Sequence, residues 1–323
     1  MTLKEACEQG AAQLKESGID TSSLDAWYLL EHVTGFSRAA YLLDSQKELE
    51  AGLEERFLYL IKKRAGRIPL QYLTGVQEFM GLEFLVNEHV LIPRQDTECL
   101  VEAALHILNR KQTACRDGAD QSLIQPGNGF SLLDLCTGSG CILLSILKFA
   151  EKSGRFQAVK RPKHMQCTEP SCQWMDPDVV PIYGTGSDIS QKALEMAGRN
   201  ARKLGIEAEF VQSDLLEHVE GRFSMIVSNP PYIRTAAISS LQDEVSKYEP
   251  VLALDGGGDG LHFYRKIIQE CRQYLIPGGS LLFEIGHDQA ADVCRLMEEA
   301  GFREIAVEKD LAGLDRVVSG MYD

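Results

Sequence analysis

No apolar run in these 323 residues approaches the roughly 18 residues that a membrane-spanning helix needs. The N-terminal stretch Met1-Thr2-Leu3-Lys4-Glu5-Ala6-Cys7 has no apolar core segment and no small-residue cleavage site, so no export signal is expected. Positive charge is scarce. Lys and Arg number 33 against 47 Asp and Glu, a formal net charge of −14. A chain this acidic is poorly suited to gripping long nucleic acid by phosphate neutralisation. A disulfide framework is missing too, because the nine cysteines are odd in number and scattered along a long chain. They read as reduced thiols of a cytoplasmic protein. We expect no DNA partner, no membrane partner and a monomer. What the chain does have is apolar content of 44%, enough for a sizeable core, and a length that suggests more than one domain.

Residues 1–75 read as helical. Leu3, Ala6, Cys7 and Leu14 recur at helical spacing and end at Gly18, and Trp27, Leu30 and Val33 repeat the pattern as far as Gly35. A short helix at 37–43 and a longer one through Phe57, Leu60 and Ile61 follow. Nothing in this bundle carries chemistry, so its expected use is to meet a partner. Residues 76–92 alternate weakly, with turn signals at Gly81 and Asn87, and read as a β-hairpin linker. Residues 93–323 open with a helix capped at Asp96-Thr97, then a polar loop over 109–130. From 131 onward strands and helices alternate: strands at 132–135, 182–188, 208–211, 225–227 and 280–285, with helices at 141–149, 191–204 and 263–275 between them. This predicts an α/β fold, a Rossmann-like sheet that is mostly parallel with helices on both faces. Two final strands, 304–307 and 315–319, have no helix between them, so one should run antiparallel. Residues 151–181 interrupt the alternation and read as an inserted loop. Its His164, Cys167 and Cys172 make a weak, incomplete metal set, and no metal site is assigned.

The functional signals lie at strand ends. Ser228-Asn229-Pro230-Pro231-Tyr232 follows the apolar strand Phe223-Ser224-Met225-Ile226-Val227. Each proline pushes the residue before it into extended backbone. The stretch therefore presents the Asn229 side-chain amide, the Pro230 carbonyl and the Tyr232 ring on a stiff frame. Two acceptors and a ring suit one planar group bearing an NH2. The plain alternative is a Pro-rich turn with a buried tyrosine. Upstream, Cys136-Thr137-Gly138-Ser139-Gly140 lies between a strand and a helix, where glycines let backbone approach a ligand and a helix N-terminus favours an anion. It is neither a Walker loop nor a full dinucleotide fingerprint. Asp188 ends the next strand, where a carboxylate can accept ribose hydroxyls, or else cap the helix at Ser190. Asp214 can accept an adenine amino proton with Leu215 packed on the ring, or else cap a helix. Four such features at successive strand ends point to one adenosine-containing ligand.

This constellation resembles the class I S-adenosylmethionine methyltransferases. It is most similar to the PrmC/HemK-type glutamine methyltransferases that modify peptide chain release factors. The likeness extends to Arg67–Gly75, to Pro93-Arg94-Gln95-Asp96-Thr97-Glu98 and to Asn229-Pro230-Pro231-Tyr232. Tyr248-Glu249-Pro250, Asp255-Gly256-Gly257, Glu284-Ile285-Gly286 and the stretch from Asp310 to Arg316 continue it. The resemblance implies methyl transfer from S-adenosyl-L-methionine to the side-chain amide nitrogen of the glutamine in a release factor's Gly-Gly-Gln motif. It implies that the helical domain docks the factor. It also implies that Cys136, Thr137, Gly138, Ser139, Gly140, Asp188, Asp214, Leu215 and Asn229 hold the cofactor, while Asn229, Pro230, Pro231 and Tyr232 hold the glutamine, with Asn229, Pro230 and Tyr232 catalytic. The same NPPY grip would also serve another protein's glutamine, or adenine in DNA.

Three departures from the family pattern stand out. Cys136 occupies the place of a usual glycine, and Gln95 that of a usual proline. Gly140 and Asp188 lie 48 positions apart, where a glycine loop and its acidic partner are usually separated by about 20.

Overall fold

The structure is a computed structural model that describes residues 1–116, 129–160 and 179–323. His164, Cys167 and Cys172 lie outside the described residues. The chain forms two compact units.

The first unit comprises Met1–Val76, Val86–Glu88 and Ser240–Glu249. Its helices are α1 (Leu3–Glu16), α2 (Ser22–Thr34), α3 (Arg38–Leu43), α4 (Ala51–Ala65) and α5 (Leu70–Thr74). Thr2 and Glu5 close a reciprocal capping box at the start of α1, and Gly35 ends α2 in the left-handed conformation. Leu14, Leu29, Leu30, Phe57 and Ile61 are fully buried between α1, α2 and α4. Each contributes about 1.5–3 kcal/mol by leaving water. Arg64 is buried as well, and its guanidinium pairs with Asp25 at 2.7 Å and with Glu244 at 3.0 Å.

The second unit comprises Gln77–Leu85, His89–Ser239 and Pro250–Asp323. In chain order its elements begin with β1 (Val76–Phe79) and β2 (Leu82–Leu85), which form a two-stranded sheet. The Phe79 and Phe84 rings meet edge to face at 6.0 Å and enter the core beside α6 (Glu98–Arg116). The major sheet is built from β3 (Phe130–Leu135), β4 (Phe156–Ala158), β5 (Val180–Asp188), β6 (Glu209–Gln212), β7 (Phe223–Ser228), β8 (Leu275–Glu284), β9 (Arg303–Lys309) and β10 (Asp315–Met321). Its helices are α7 (Cys141–Lys152), α8 (Gln191–Leu204), α10 (His262–Cys271) and α11 (Ala290–Glu299), while α9 (Asp243–Tyr248) belongs to the first unit.

The strand order is β4-β5-β3-β7-β8-β10-β9, with β6 also paired to β5. Strands β3 to β8 pair in parallel, and β10 runs antiparallel to both β8 and β9. The expected doubly wound sheet and its antiparallel end are thus both present. All six residues of β3 and of β7 are buried, as both faces of a parallel sheet must be. Their neighbours alternate between two cores. Leu132, Met225 and Val227 face α6 and α7, whereas Leu133, Leu135 and Ile226 face α10 and α11. The outermost strand β9 is mostly exposed and carries Arg303, Glu304, Glu308 and Lys309, charges that blunt a free sheet edge. The chain winds from β3 toward β5 and β6, then crosses to β7. The switch point where open α/β sheets form their ligand crevice therefore lies between β3 and β7.

Several elements depart from the sequence expectation. Helix α6 continues to Arg116 into the expected 109–130 loop, because Lys111 is buried and its ammonium donates to the Gly278 carbonyl at 2.7 Å. Within 151–181, Phe156–Ala158 pair with the start of β5, a strand too short to show a period. Helix α10 stops at Cys271, and Leu275 already pairs in β8. Pro277 is tolerated there because it is exposed, beside a register shift in the β7–β8 ladder. Helix α9 has no counterpart in the sequence reading.

Candidate active site

The loop from Cys136 to Gly140 leaves the carboxyl end of β3 and enters α7. Gly140 is its N-cap, in the left-handed region at φ 80°. The loop is tied down at three points. The Thr137 N–H donates to the Ser187 carbonyl at 2.9 Å, the Gly138 N–H donates to Asp188 Oδ2 at 2.9 Å, and the Thr137 hydroxyl donates to Asp134 Oδ2 at 2.6 Å. Asp188 Oδ1 accepts the Ser190 N–H at 2.9 Å, while Ser190 itself caps α8. Asp188 is therefore a strut between strand end and glycine loop. Burial raises its pKa, against the pull of the Ser190, Gly138 and Ile189 N–H groups.

Asp134 is fully buried, and its Oδ1 has no hydrogen-bond partner. Burial pushes its pKa up to about 7, opposed by the Thr137 hydroxyl and the Leu143 N–H. Cys136 takes a positive φ of 61°, strained for a residue with a Cβ. Burial drives its thiol far above its ordinary pKa, and the carboxylates of Asp188, Asp134 and Asp214 add to the shift. It is a poor nucleophile where it stands.

The Cβ direction of Gly138, at φ 55°, opens onto space with no atom within 4 Å. The loop thus leaves room above its backbone for a ligand, with the Asp188 carboxylate beside it. Leu215 is buried, adopts φ 50°, and its carbonyl accepts the Ser187 hydroxyl at 3.4 Å. Asp214 is half exposed and lies 3.8 Å from the Lys266 ammonium. The order β6-β5-β3-β7 places Asp214, Asp188, residues 136–140 and Asn229 at the ends of successive strands. Ser139 is buried, and its carbonyl accepts from the Asn200 side chain, which also pairs with both backbone groups of Leu85. No group of three or more His, Cys, Asp or Glu able to hold a metal occurs among the described residues.

Beyond β7, the Asn229 Nδ2 donates to Thr97 Oγ1 at 3.4 Å. Among the described residues no donor reaches Asn229 Oδ1 or the Pro230 carbonyl. The Tyr232 hydroxyl donates to Glu284 Oε1 at 3.2 Å, and the Tyr232 carbonyl accepts from Gln289 at 3.0 Å. Burial, then the Glu284 charge, raises the Tyr232 pKa. The downstream glycines have a physical reason to be there. A Cβ on Gly256 would stand 2.7 Å from the Tyr232 Cα and 2.8 Å from the Pro231 carbonyl oxygen. Only glycine lets this segment lie against the backbone of Pro231 and Tyr232, where Ile233 bridges to Asp255.

Glu284, Thr97, Arg316 and Asp96 join this cluster without having been singled out as site residues in the sequence. Glu284 is 2% exposed. Burial pushes its carboxyl up to about 7, against the Thr97 hydroxyl, the Arg316 charge and the Tyr232 hydroxyl. Arg316 bridges Asp96 at 3.2 Å and Asp310 at 2.9 Å. The available signal was a lone acidic residue inside the apolar strand 280–285.

Two family descriptions match the chain: the PrmC N-terminal domain over residues 5–75 and the methyltransferase small domain over 180–248. Release factor glutamine methyltransferase of Clostridium acetobutylicum is 35% identical, with 98% of both chains covered. That of Moorella thermoacetica is 37% identical over 98% of this chain and 97% of its own. The chain belongs to the release factor glutamine methyltransferase family. Among solved structures, the release factor-specific protein-(glutamine-N5) methyltransferase of Alicyclobacillus acidocaldarius is 27% identical. It covers 74% of this chain and 99% of its own, with a TM-score of 0.35. In this family member a cysteine stands at the strained head of the glycine loop, and the loop still closes on Asp188.

Proposed function

We propose that this protein transfers a methyl group from S-adenosyl-L-methionine to the side-chain amide nitrogen of the glutamine in the Gly-Gly-Gln motif of a peptide chain release factor. Its place of action would be the cytoplasm, as a monomer, in the service of translation termination. The helical region, residues 1–75, would dock the factor, and residues 93–323 would carry the transfer. Residues 136–140, Asp188, Asp214, Leu215 and Asn229 would hold the cofactor. When bound, S-adenosylmethionine supplies a methyl already activated by the sulfonium charge.

The observation that carries this reading is the Asn229 amide, held through Nδ2 on Thr97, with no donor among the described residues to its Oδ1 or to the Pro230 carbonyl. These two acceptors suit the two N–H bonds of a glutamine side chain. An amide nitrogen is a weak nucleophile because its lone pair is delocalised into the carbonyl. Accepting both N–H bonds turns that lone pair toward the donor and stabilises positive charge developing on nitrogen. Tyr232 would pack against the amide plane. The remaining task is alignment at near-attack distance. No general base is assigned, because a nitrogen-protonated amide sheds its proton readily.

The test is incubation of the protein with purified release factor and S-adenosylmethionine, followed by peptide mass spectrometry. The expected result is a gain of one methyl on the Gly-Gly-Gln peptide, abolished in a factor whose glutamine is replaced by alanine. A methyl elsewhere, or none, overturns the reading.

A further inference from the structure

The frame that presents Asn229 and the Pro230 carbonyl is only as well placed as its own attachment to the sheet. One attachment is the side chain of Gln289, the N-cap residue of α11, which is buried. Gln289 Nε2 donates to the Tyr232 carbonyl at 3.0 Å and to the Gly260 carbonyl at 3.2 Å. Its Oε1 accepts the Gly286 N–H at 2.9 Å, just past the end of β8. One amide therefore joins the segment after β7, the turn before α10 and the chain leaving β8. Both of its N–H bonds and its oxygen are in use.

The direction of this amide is fixed by its partners. A backbone N–H only donates and a backbone carbonyl only accepts, so Nε2 faces Tyr232 and Gly260 while Oε1 faces Gly286. Glycines clear the space for it. A Cβ on Gly260 would stand 2.4 Å from the Tyr232 carbonyl oxygen and 2.7 Å from Gln289 Nε2, and one on Gly286 would stand 2.9 Å from Gln289 Oε1. Tyr232 is held at its other end too, where its hydroxyl donates to Glu284 Oε1 at 3.2 Å. The next residue, Ile233, is tied by backbone bonds to Leu254 and Gly256. Gln289 adds the tie nearer the acceptors. Pro230 and Pro231 have fixed φ, so few soft torsions separate the Tyr232 carbonyl from the Pro230 carbonyl. Holding the first holds the second.

We propose that Gln289 is a positioning residue for methyl transfer, whose amide clamps the Tyr232 carbonyl and through it sets the Pro230 and Asn229 acceptors. The inference rests on the reading of Asn229 and Pro230 as acceptors for a glutamine amide. The hydrogen bonds of the Gln289 side chain go to Tyr232, Gly260 and Gly286, with the Tyr264 hydroxyl 3.4 Å from Oε1. None of them reaches residues 136–140, Asp188 or Asp214. Loss of the clamp therefore displaces the acceptors and spares the cofactor's side of the site.

The experiment measures kcat and KM for release factor methylation at saturating S-adenosylmethionine in wild type, Gln289→Met and Gln289→Ala, with cofactor Kd by calorimetry and stability by urea melts. Gln289→Met keeps the length of the side chain and removes both donors. It is expected to lower kcat by at least about tenfold through misplaced acceptors. KM for the factor and cofactor Kd are each expected to move less than about threefold, a split that a general loosening of the fold would not give. Gln289→Ala, which also removes both donors but leaves their place unfilled, serves if the methionine variant does not fold. A wild type that methylates the factor while both variants match it in kcat overturns the positioning role alone. A fall in kcat matched by an equal loss of cofactor affinity overturns it as well, because the residue then supports the whole domain rather than the acceptors. A wild type with no activity on the factor overturns the reading of the site and this inference with it.

Discussion

The Gly138 N–H donates to Asp188 Oδ2 at 2.9 Å, so the glycine loop after β3 is held by the residue that ends β5. One carboxylate thus fixes the loop and stands beside the space above it. Asp188→Ala removes both supports. We expect cofactor affinity, read by calorimetry, to fall at least about tenfold, as for the loss of a charge-assisted hydrogen bond. Unchanged affinity would count against a binding role for this residue.

Asn229 stands differently, since its Nδ2 is held by Thr97 Oγ1 and its Oδ1 is the atom proposed to meet the substrate. Asn229→Ala is expected to cut turnover at least about tenfold, with cofactor Kd altered less than in Asp188→Ala. Near-normal turnover in a steady-state methylation assay would sink this role.

Gly256 is the quiet support of the same segment. Its missing Cβ would sit within 2.8 Å of Pro231 and Tyr232 backbone atoms, which cannot yield as a flexible side chain would. Gly256→Ala is expected to lower turnover by at least about tenfold through displaced geometry, while calorimetric cofactor affinity stays near wild type. A variant with wild-type kcat would show that the segment has slack.

Asp134 makes a stability prediction. Its carboxyl titrates at about 7 when folded and near 3.8 when not. Between those values the folded state binds the extra proton, so this group makes stability fall as pH rises through the window and levels off above it. The slope is about 1.4 kcal/mol per pH unit at most. Asp134→Asn keeps an acceptor for the Thr137 hydroxyl and removes the titration. Urea melts at pH 5 to 8 should therefore show a shallower decline for the variant. Parallel declines would mean that Asp134 does not titrate in this window.

Much of the site was legible in local signals. A double proline after an apolar strand, paired glycines before a helix and an aspartate at a strand end each announce themselves within a few residues. Glu284 and Thr97 did not, because their meaning comes from pairing across the sheet. Glu284 lies one residue beyond a strand pair that no local pattern reveals, and Thr97 meets Asn229 from the turn before α6. The boundaries of α6 and β8 were hidden for a related reason. Lys111 reads as a surface charge until the strand-end carbonyl of Gly278 accepts its ammonium. Pro277 reads as a terminator until a ladder irregularity makes room for it.

The pairing of Arg64 with Glu244 has a consequence for how the chain comes off the ribosome. The first unit draws Ser240–Glu249 into itself, so it is discontinuous in sequence. When Val76 has been made, its helices exist but the partner of a buried guanidinium does not. At about 5–20 residues per second, roughly 10 to 30 seconds of synthesis separate Val76 from Ser240. Through that interval Arg64 has Asp25 and the Ile68 carbonyl, and waits for its third contact. A fragment cut at residue 75 would make that wait permanent.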